Sequence, residues 1–554
     1  MVAEQASGAA GRVARDFQVW APHAQRGVDL DLAGVRHRMA AGPGGWWMVT
    51  VEAAVGDAYG FCIDGGNALA DPAARALPDG PAGLARVLAA RSGAAAATAD
   101  HPSWPGLVAE GVVAYDLGLA RRSSRATFDA VSEQLDYLAD LGVSLLLLGP
   151  VALAGDREPV RYDVRSPRVI DRGYGGPRRL RALVAACHSR GIGVGVDLVM
   201  SCSNPDGSPW NHFGPYYHAA PHTDSGWAPN LDGPGSDDVR AFWLATALDL
   251  VTEFDLDALR LRDAGELADR RAITFVEELA TTMAELGELT GRTRWLILDD
   301  DRSDSRTVQP VSEGGLGCSA MLVDDLGRGL WDLASADPQQ AAGMAARVLG
   351  DPLWTAGAFS PRHGRTNGRP VDPELVPGWR FLTGLLTPGA RPPQPDQLGV
   401  RRWCVMVALA LTSATTPLLM LGEEWGFTGP GQAFAPVNAA DGADPRAHRL
   451  RSWYRALLAL RAARPQLREP TLSKVAVRAA EQPGVFVVHR GGHRIAVNLG
   501  VTRAVVDLGL PTSHRQVVLL SLDPTTAVSY QGTVELPPDG VAVIGPASIS
   551  GGAS

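Results

Sequence analysis

Leu259-Arg260-Leu261-Arg262-Asp263 is the stretch on which the reading of this chain turns. It closes a short apolar run, 257–261, that has the length of a buried strand and lies between longer helical patterns. Working outward, short apolar strands alternate with helical stretches from about residue 109 to 465, the signal for βα units. Candidate strands fall at 112–117, 143–148, 192–199, 257–261, 294–298, 318–323, 381–386 and 417–421. Eight such units predict an α/β fold built on a (β/α)8 TIM barrel, whose chemistry sits at the C-terminal strand ends. Arg262 and Asp263 fall just past such an end.

On either side of the barrel the pattern is all strand. Phe17-Gln18-Val19-Trp20, Val28-Asp29-Leu30-Asp31-Leu32, Trp47-Met48-Val49-Thr50-Val51 and Tyr59-Gly60-Phe61-Cys62-Ile63-Asp64 are separated by short Gly/Pro/Asp turns. They predict an N-terminal immunoglobulin-like β-sandwich over 1–108, resembling a carbohydrate-binding module. Residues 99–111, with Pro102 and Pro105, read as a linker into the barrel at 109–465. Runs at 485–489, 494–499, 503–508, 516–520 and 533–536 predict a C-terminal β-sandwich over 466–554.

Composition narrows the function classes. The formal net charge is −9 and the chain has 45% hydrophobic residues. Nucleic acid and anionic membrane are therefore poor partners, and no run of about 20 apolar residues offers a membrane span. The five cysteines, at 62, 187, 202, 318 and 404, lack C-x-x-C spacing and suit free thiols in a reducing cytoplasm. His212, His218 and His222 are too widely spaced for a metal site, and Gly191-Ile192-Gly193 sits inside a strand pattern. No cofactor or metal is expected.

Several runs resemble the α-amylase superfamily (glycoside hydrolase family 13), and within it the maltooligosyltrehalose trehalohydrolases. They are Asp71-Pro72, Pro78-Asp79-Gly80, Tyr115-Asp116-Leu117, Thr127-Phe128-Asp129, Leu135-Asp136-Tyr137-Leu138 and Tyr162-Asp163. Further along come Tyr174-Gly175-Gly176-Pro177, Phe213-Gly214-Pro215-Tyr216-Tyr217, Asn230–Asp237 and Leu421-Gly422-Glu423-Glu424-Trp425-Gly426. The resemblance covers most of residues 16–465 and implies hydrolysis of the glucan–trehalose bond of a maltooligosyltrehalose-like α-glucan.

The site motifs depart from that family pattern together. Where the resemblance implies D-x-x-x-N-H, the third strand keeps Asp197 but has Ser201-Cys202 for Asn-His. Where it implies R-L-D-A-V-H, Arg260 is kept, the nucleophile position is Arg262, and Gly265 stands for the histidine. Asp263, one residue late, would be aimed away from substrate if the strand ran on extended; a bulge would restore it. Asp299 takes the acid/base position with one methylene fewer than Glu. Either Asp396 or Gly389 takes the third-carboxylate position, Asp396 being favoured because Gln397 and Gly399 stay with it. Tyr162 and Asp163, with Asp197, Cys202 and Arg260, complete the implied sugar-binding set, mere pairing with Arg260 being the equal alternative for Asp197. Trp210, Phe213, Tyr216, Tyr217 and Trp227 on the loop after strand three read as packing rather than as sugar platforms.

Clustered loss at several strand ends, with the fold-building runs kept, points to a glucan-binding or regulatory relative of impaired hydrolytic power. Such a protein would have an α-glucan ligand and, as a possible partner, an active paralogous glucan enzyme. Two alternatives stay open at this level. One is a retaining hydrolase with shifted carboxylates, releasing trehalose. The other is a binder of an anionic sugar through Arg260 and Arg262, whose planar forks suit oxyanions. Buried neighbouring arginines need compensation, so Arg262 is expected to pair with Asp197, Asp299 or Asp263.

Overall fold

The computed structural model describes residues 11–89, 104–118, 127–155, 164–201, 210–218, 226–360, 364–386, 398–426, 444–509 and 516–547. Eight parallel strands close into a barrel. In chain order they are β1 Ala114–Asp116, β2 Leu145–Leu148, β3 Gly193–Leu198, β4 Ala258–Leu261, β5 Trp295–Asp299, β6 Ala320–Val323, β7 Phe381–Thr383 and β8 Thr416–Met420. Each lies within or against a run read from the sequence. β7 stops at Thr383, three residues short of its run, where Gly384 has no room for a Cβ: it would come within 2.3 Å of the Leu418 carbonyl.

Both faces of the strands are buried, so they read as continuous apolar runs, and the two faces carry different jobs. Ala114, Leu147, Ala258, Ile297, Leu322 and Leu418 fill the barrel interior. Leu259, Leu261, Leu296, Leu298, Met321 and Val323 face outward into the main hydrophobic core. Helices supply the other half of that core from one stripe each. Gly176–His188 buries Leu180, Leu183, Val184 and Cys187, and Ser236–Phe254 buries Val239, Trp243, Ala247, Leu250 and Phe254, spacings of three and four residues.

In the N-terminal sandwich, one sheet pairs Val13–Trp20 with Trp46–Ala53, leaving Val13–Trp20 on the edge. The facing sheet is built on Val28–Leu32 and Ala58–Ile63. The loop aromatics after β3 pack against this sandwich: Trp20 meets Tyr216 edge-on at 5.3 Å and Phe61 meets Phe213 at 6.4 Å. Trp210, Phe213, Tyr216 and Tyr217 are all buried, in keeping with packing. The run read as a linker is anchored where it is described. Trp104 stacks on His188 with centroids 4.9 Å apart, and its indole N–H donates to Asp257 at 2.8 Å.

The C-terminal sandwich sets five strands against two. Two of the five, Val475–Ala479 and Gly540–Pro546, are absent from the sequence reading. Gly540–Pro546 is buried on both faces for nearly its whole length, so it lacks the alternation that marks a half-buried strand.

Candidate active site at the barrel mouth

Inward-facing positions at the C-terminal strand ends are charged where those below are apolar. Asp116 ends β1, Asp197 lies one residue before the end of β3, Arg260 lies one before the end of β4, and Asp299 ends β5. Arg262 is the first residue past β4. Period-two alternation puts Ala258, Arg260 and Arg262 on one face, so the substitution at 262 is delivered into the barrel.

The charges form two layers. In the lower one Arg260, 1% exposed, donates through Nε to Asp197 Oδ1 at 2.6 Å and through Nη2 to Asp197 Oδ2 at 3.1 Å. Its Nη1 crosses the barrel to Asp116 Oδ2 at 2.5 Å. In the upper layer Arg262 Nη1 meets Asp299 Oδ2 at 2.5 Å, while its Nε stands 3.8 Å from Asp197 Oδ2. Three carboxyl groups thus face two guanidiniums.

Burial and charge pull these carboxyls in opposite directions. At Asp116 burial raises the affinity for a proton, but Arg260 and Arg262 outweigh it and hold the group below the ordinary carboxylate range. At Asp197 and Asp299 burial leaves the carboxyls above that range, although the same arginines draw them down.

Asp263 differs from the expectation based on an extended strand. The chain leaves β4 at Leu261, and Asp263 takes the left-handed conformation, φ 52° and ψ 34°. Opposite-face alternation therefore does not apply to it, and its charge raises the proton affinity of Asp299. Gly265 has a positive role in this turn: a Cβ there would come within 2.7 Å of Asp300 Oδ1. Asp300 is buried and accepts from the Arg302 backbone N–H at 3.0 Å and side-chain Nε at 2.7 Å.

The structure thus brings Asp197, Arg260, Arg262 and Asp299 together. Tyr162, Asp163, Cys202, Gly389 and Asp396 lie outside the described residues. Sequence reasoning passed over Asp116 as a site residue. Its position at the end of a barrel strand, inside the quoted run Tyr115-Asp116-Leu117, is the signal that could have found it. Beyond β6, Asp325 is fully buried and accepts from Thr355 Oγ1 at 2.6 Å and Ser303 Oγ at 3.2 Å.

The turn after β8 is tied into the barrel wall behind these strand ends. Glu424 is fully buried and accepts from Tyr137 at 2.7 Å and Tyr115, next to Asp116, at 3.1 Å. Glu423 accepts from Tyr454 at 2.8 Å and from the Met420 N–H at 3.1 Å, and burial pushes its carboxyl up to about 8.

The fold is a closed parallel barrel of the α-amylase class, and residues 119–214 match the alpha amylase catalytic domain. The pullulanase of Paenibacillus barengoltzii superimposes with a TM-score of 0.72 at 17% identity, over 97% of this chain and 94% of that one. Sequence relatives are more specific. The malto-oligosyltrehalose trehalohydrolase of Mycobacterium tuberculosis (strain CDC 1551 / Oshkosh) is 32% identical over 88% of this chain and 92% of its own length. The protein of that name from Rhizobium sp. (strain M-11) is 28% identical over 95% and 97%. The chain belongs to the malto-oligosyltrehalose trehalohydrolase family.

Proposed function

We propose that this chain is an α-glucan-binding protein of trehalose metabolism that holds a maltooligosyltrehalose-like sugar at its barrel mouth without cleaving it. One observation carries the reading: the 2.5 Å contact between Arg262, at the nucleophile position, and Asp299, at the acid/base position. Retaining hydrolysis needs two carboxyl groups about 5–5.5 Å apart across the glycosidic bond. Here a guanidinium stands in place of one and engages an oxygen of the other. It also sets positive charge where an oxocarbenium-like transition state develops, and loss of a nucleophile of this kind costs on the order of 10⁴–10⁶ in turnover.

In this reading Asp197 and Arg260 shape the floor of the sugar site, with Tyr162, Asp163, Cys202 and Asp396 as further contacts. The N-terminal, barrel and C-terminal units divide near residues 108 and 465. An anionic sugar is disfavoured by the same network, because Arg260 is already bridged to two aspartates and Arg262 is engaged by Asp299.

The test is an assay of the purified full chain for trehalose and glucose release from maltooligosyltrehalose, beside calorimetric binding of the same sugar. Binding without release is the expected result. Release above background that disappears in Asp299→Ala would restore the hydrolase reading with shifted carboxylates.

A further inference from the structure

Five cationic or titratable side chains gather where the C-terminal sandwich meets the barrel: Arg461, Arg464, Arg468, Arg490 and His493. Arg461 lies in the last turn of helix Pro445–Ala463, and the short helix Pro465–Arg468 carries the chain on from Arg464 to Arg468. Arg490 and His493 pair across the tight turn Gly491-Gly492, which joins strands Val485–Arg490 and His493–Asn498. Period-two alternation puts Arg490 with Phe486 and Val488, and His493 with Ile495 and Val497, on the face that enters the main core.

Arg461, Arg490 and His493 form a floor, 3%, 1% and 1% exposed. Arg461 donates to the carbonyls of Leu411 at 3.0 Å, Ser413 at 2.8 Å and Thr415 at 2.8 Å, and Arg490 donates to Thr412 at 3.2 Å. These carbonyls follow the C-terminal end of helix Val400–Leu411, whose dipole offers about half a negative charge. Both arginines also donate to the Leu467 carbonyl, at 3.0 and 3.4 Å, so two like charges converge on one oxygen. Half a charge does not balance them. Among the described residues no carboxylate pairs with Arg461, Arg464, Arg468 or Arg490. Glu469, the acid whose field reaches Arg490, is engaged by Lys474 at 3.3 Å and Thr471 Oγ1 at 2.5 Å.

The polar atoms show the same deficit. Arg461 Nε, Arg468 Nε, Arg490 Nη1 and both ring nitrogens of His493 are buried with no hydrogen-bond partner among the described residues. Burial, and then the charges of Arg464, Arg494 and Arg490, push the His493 imidazole down to about 4. Burial, Arg490 and Arg468 likewise lower the proton affinity of Arg461. Buried donors are ordinarily satisfied and buried charges ordinarily paired, so a cluster lacking both is short of an anion.

We infer that this seam is a binding site for a small oxyanion of the phosphate type, seated on Arg490 and His493 with Arg464 and Arg468 at its lip. Guanidinium forks suit the oxygens of such a group, and a neutral sugar would supply acceptors without the missing charge. Only a small ligand reaches a floor this buried. Arg464 and Arg468 are half-buried, and a Cβ on Gly492 would meet nothing within 4 Å, so the turn beside His493 is open. Thr412–Thr415 lead into the first residue of β8, so the site lies at the opposite end of the barrel from the charged mouth. A bound anion would clamp the C-terminal sandwich to the barrel there.

Equilibrium dialysis of the full chain against radiolabelled inorganic phosphate, in chloride at fixed ionic strength, tests the site. Arg490→Met removes the floor, and Arg464→Gln/Arg468→Gln removes the lip without breaking an ion pair. Thermal unfolding in chloride alone checks that each variant folds; should Arg490→Met not fold, the lip variant decides. Saturable binding to the parent, at least tenfold weaker in every folded variant, is the expected result. No saturable binding to the parent, or undiminished binding in a folded variant, overturns the proposal.

Discussion

Arg262 and Asp299 are brought together by strand register. Leu261 pairs with Leu298 across β4 and β5, so the residue after each lies at the same level. One pairing lower on the same face, Arg260 stands opposite Ile297 on one side and Asp197 on the other. Where the family resemblance implies a carboxylate pair at this level, this chain holds a carboxylate and a guanidinium.

Removing either partner of the Arg262–Asp299 pair is expected to destabilise the fold by about 1–3 kcal/mol. That is less than the 3–5 kcal/mol typical of a fully buried pair, because Asp299 keeps 22% of its side-chain surface. The double variant Arg262→Met/Asp299→Leu should recover most of the loss. Urea unfolding of the four proteins gives the coupling, and strictly additive effects would show that the two side chains do not act as a pair.

Arg260→Met should be more damaging, by about 3–5 kcal/mol, since it leaves Asp116 and Asp197 buried without their shared cation. Both aspartates would then favour protonation, and stability of the variant should improve as pH is lowered toward 5. A variant as stable as the parent at pH 7.5 would contradict the lower-layer assignment.

Gly265→His, which writes the family residue back, should cost about 1–3 kcal/mol by overpacking against Asp300. Asp300→Ala in the same chain opens that space and should relieve part of the loss. Equal stability of Gly265→His and parent in thermal unfolding would mean that the 300–302 turn yields freely.

Glu423 gives a pH dependence with a definite sign. Its carboxyl rises from 4.5 in the unfolded chain to about 8 in the fold, chiefly through burial. Between those values the fold keeps a proton that the unfolded chain releases. Its contribution is therefore fully present below about pH 4.5 and is lost as pH climbs to 8, amounting to a few kcal/mol on the order of one per pH step. Urea midpoints should fall from pH 5 to 8 in the parent and fall less steeply in Glu423→Gln; matching slopes would exclude Glu423 as the source.

The sequence by itself determined the barrel. Eight short apolar runs spaced by helical patterns admit few other folds, because a strand buried on both faces must be apolar and must be covered by helices. It also determined that position 262 carries an arginine where the family frame calls for a carboxylate, and that the positions around it changed with it. What it did not contain was the partner of that arginine. Asp197, Asp299 and Asp263 were equal candidates along the chain, and only the stagger of β4 against β5 placed Asp299 at the same level. Asp116 reached Arg260 from 144 residues away for the same reason, because closing the barrel puts β1 across from β4. Alternation did not bear on Asp263, since the strand had already ended and a left-handed turn had begun. Local pattern records which face of a strand a residue occupies, whereas the depth and neighbours of that residue are set by register between strands, which is a property of the closed barrel.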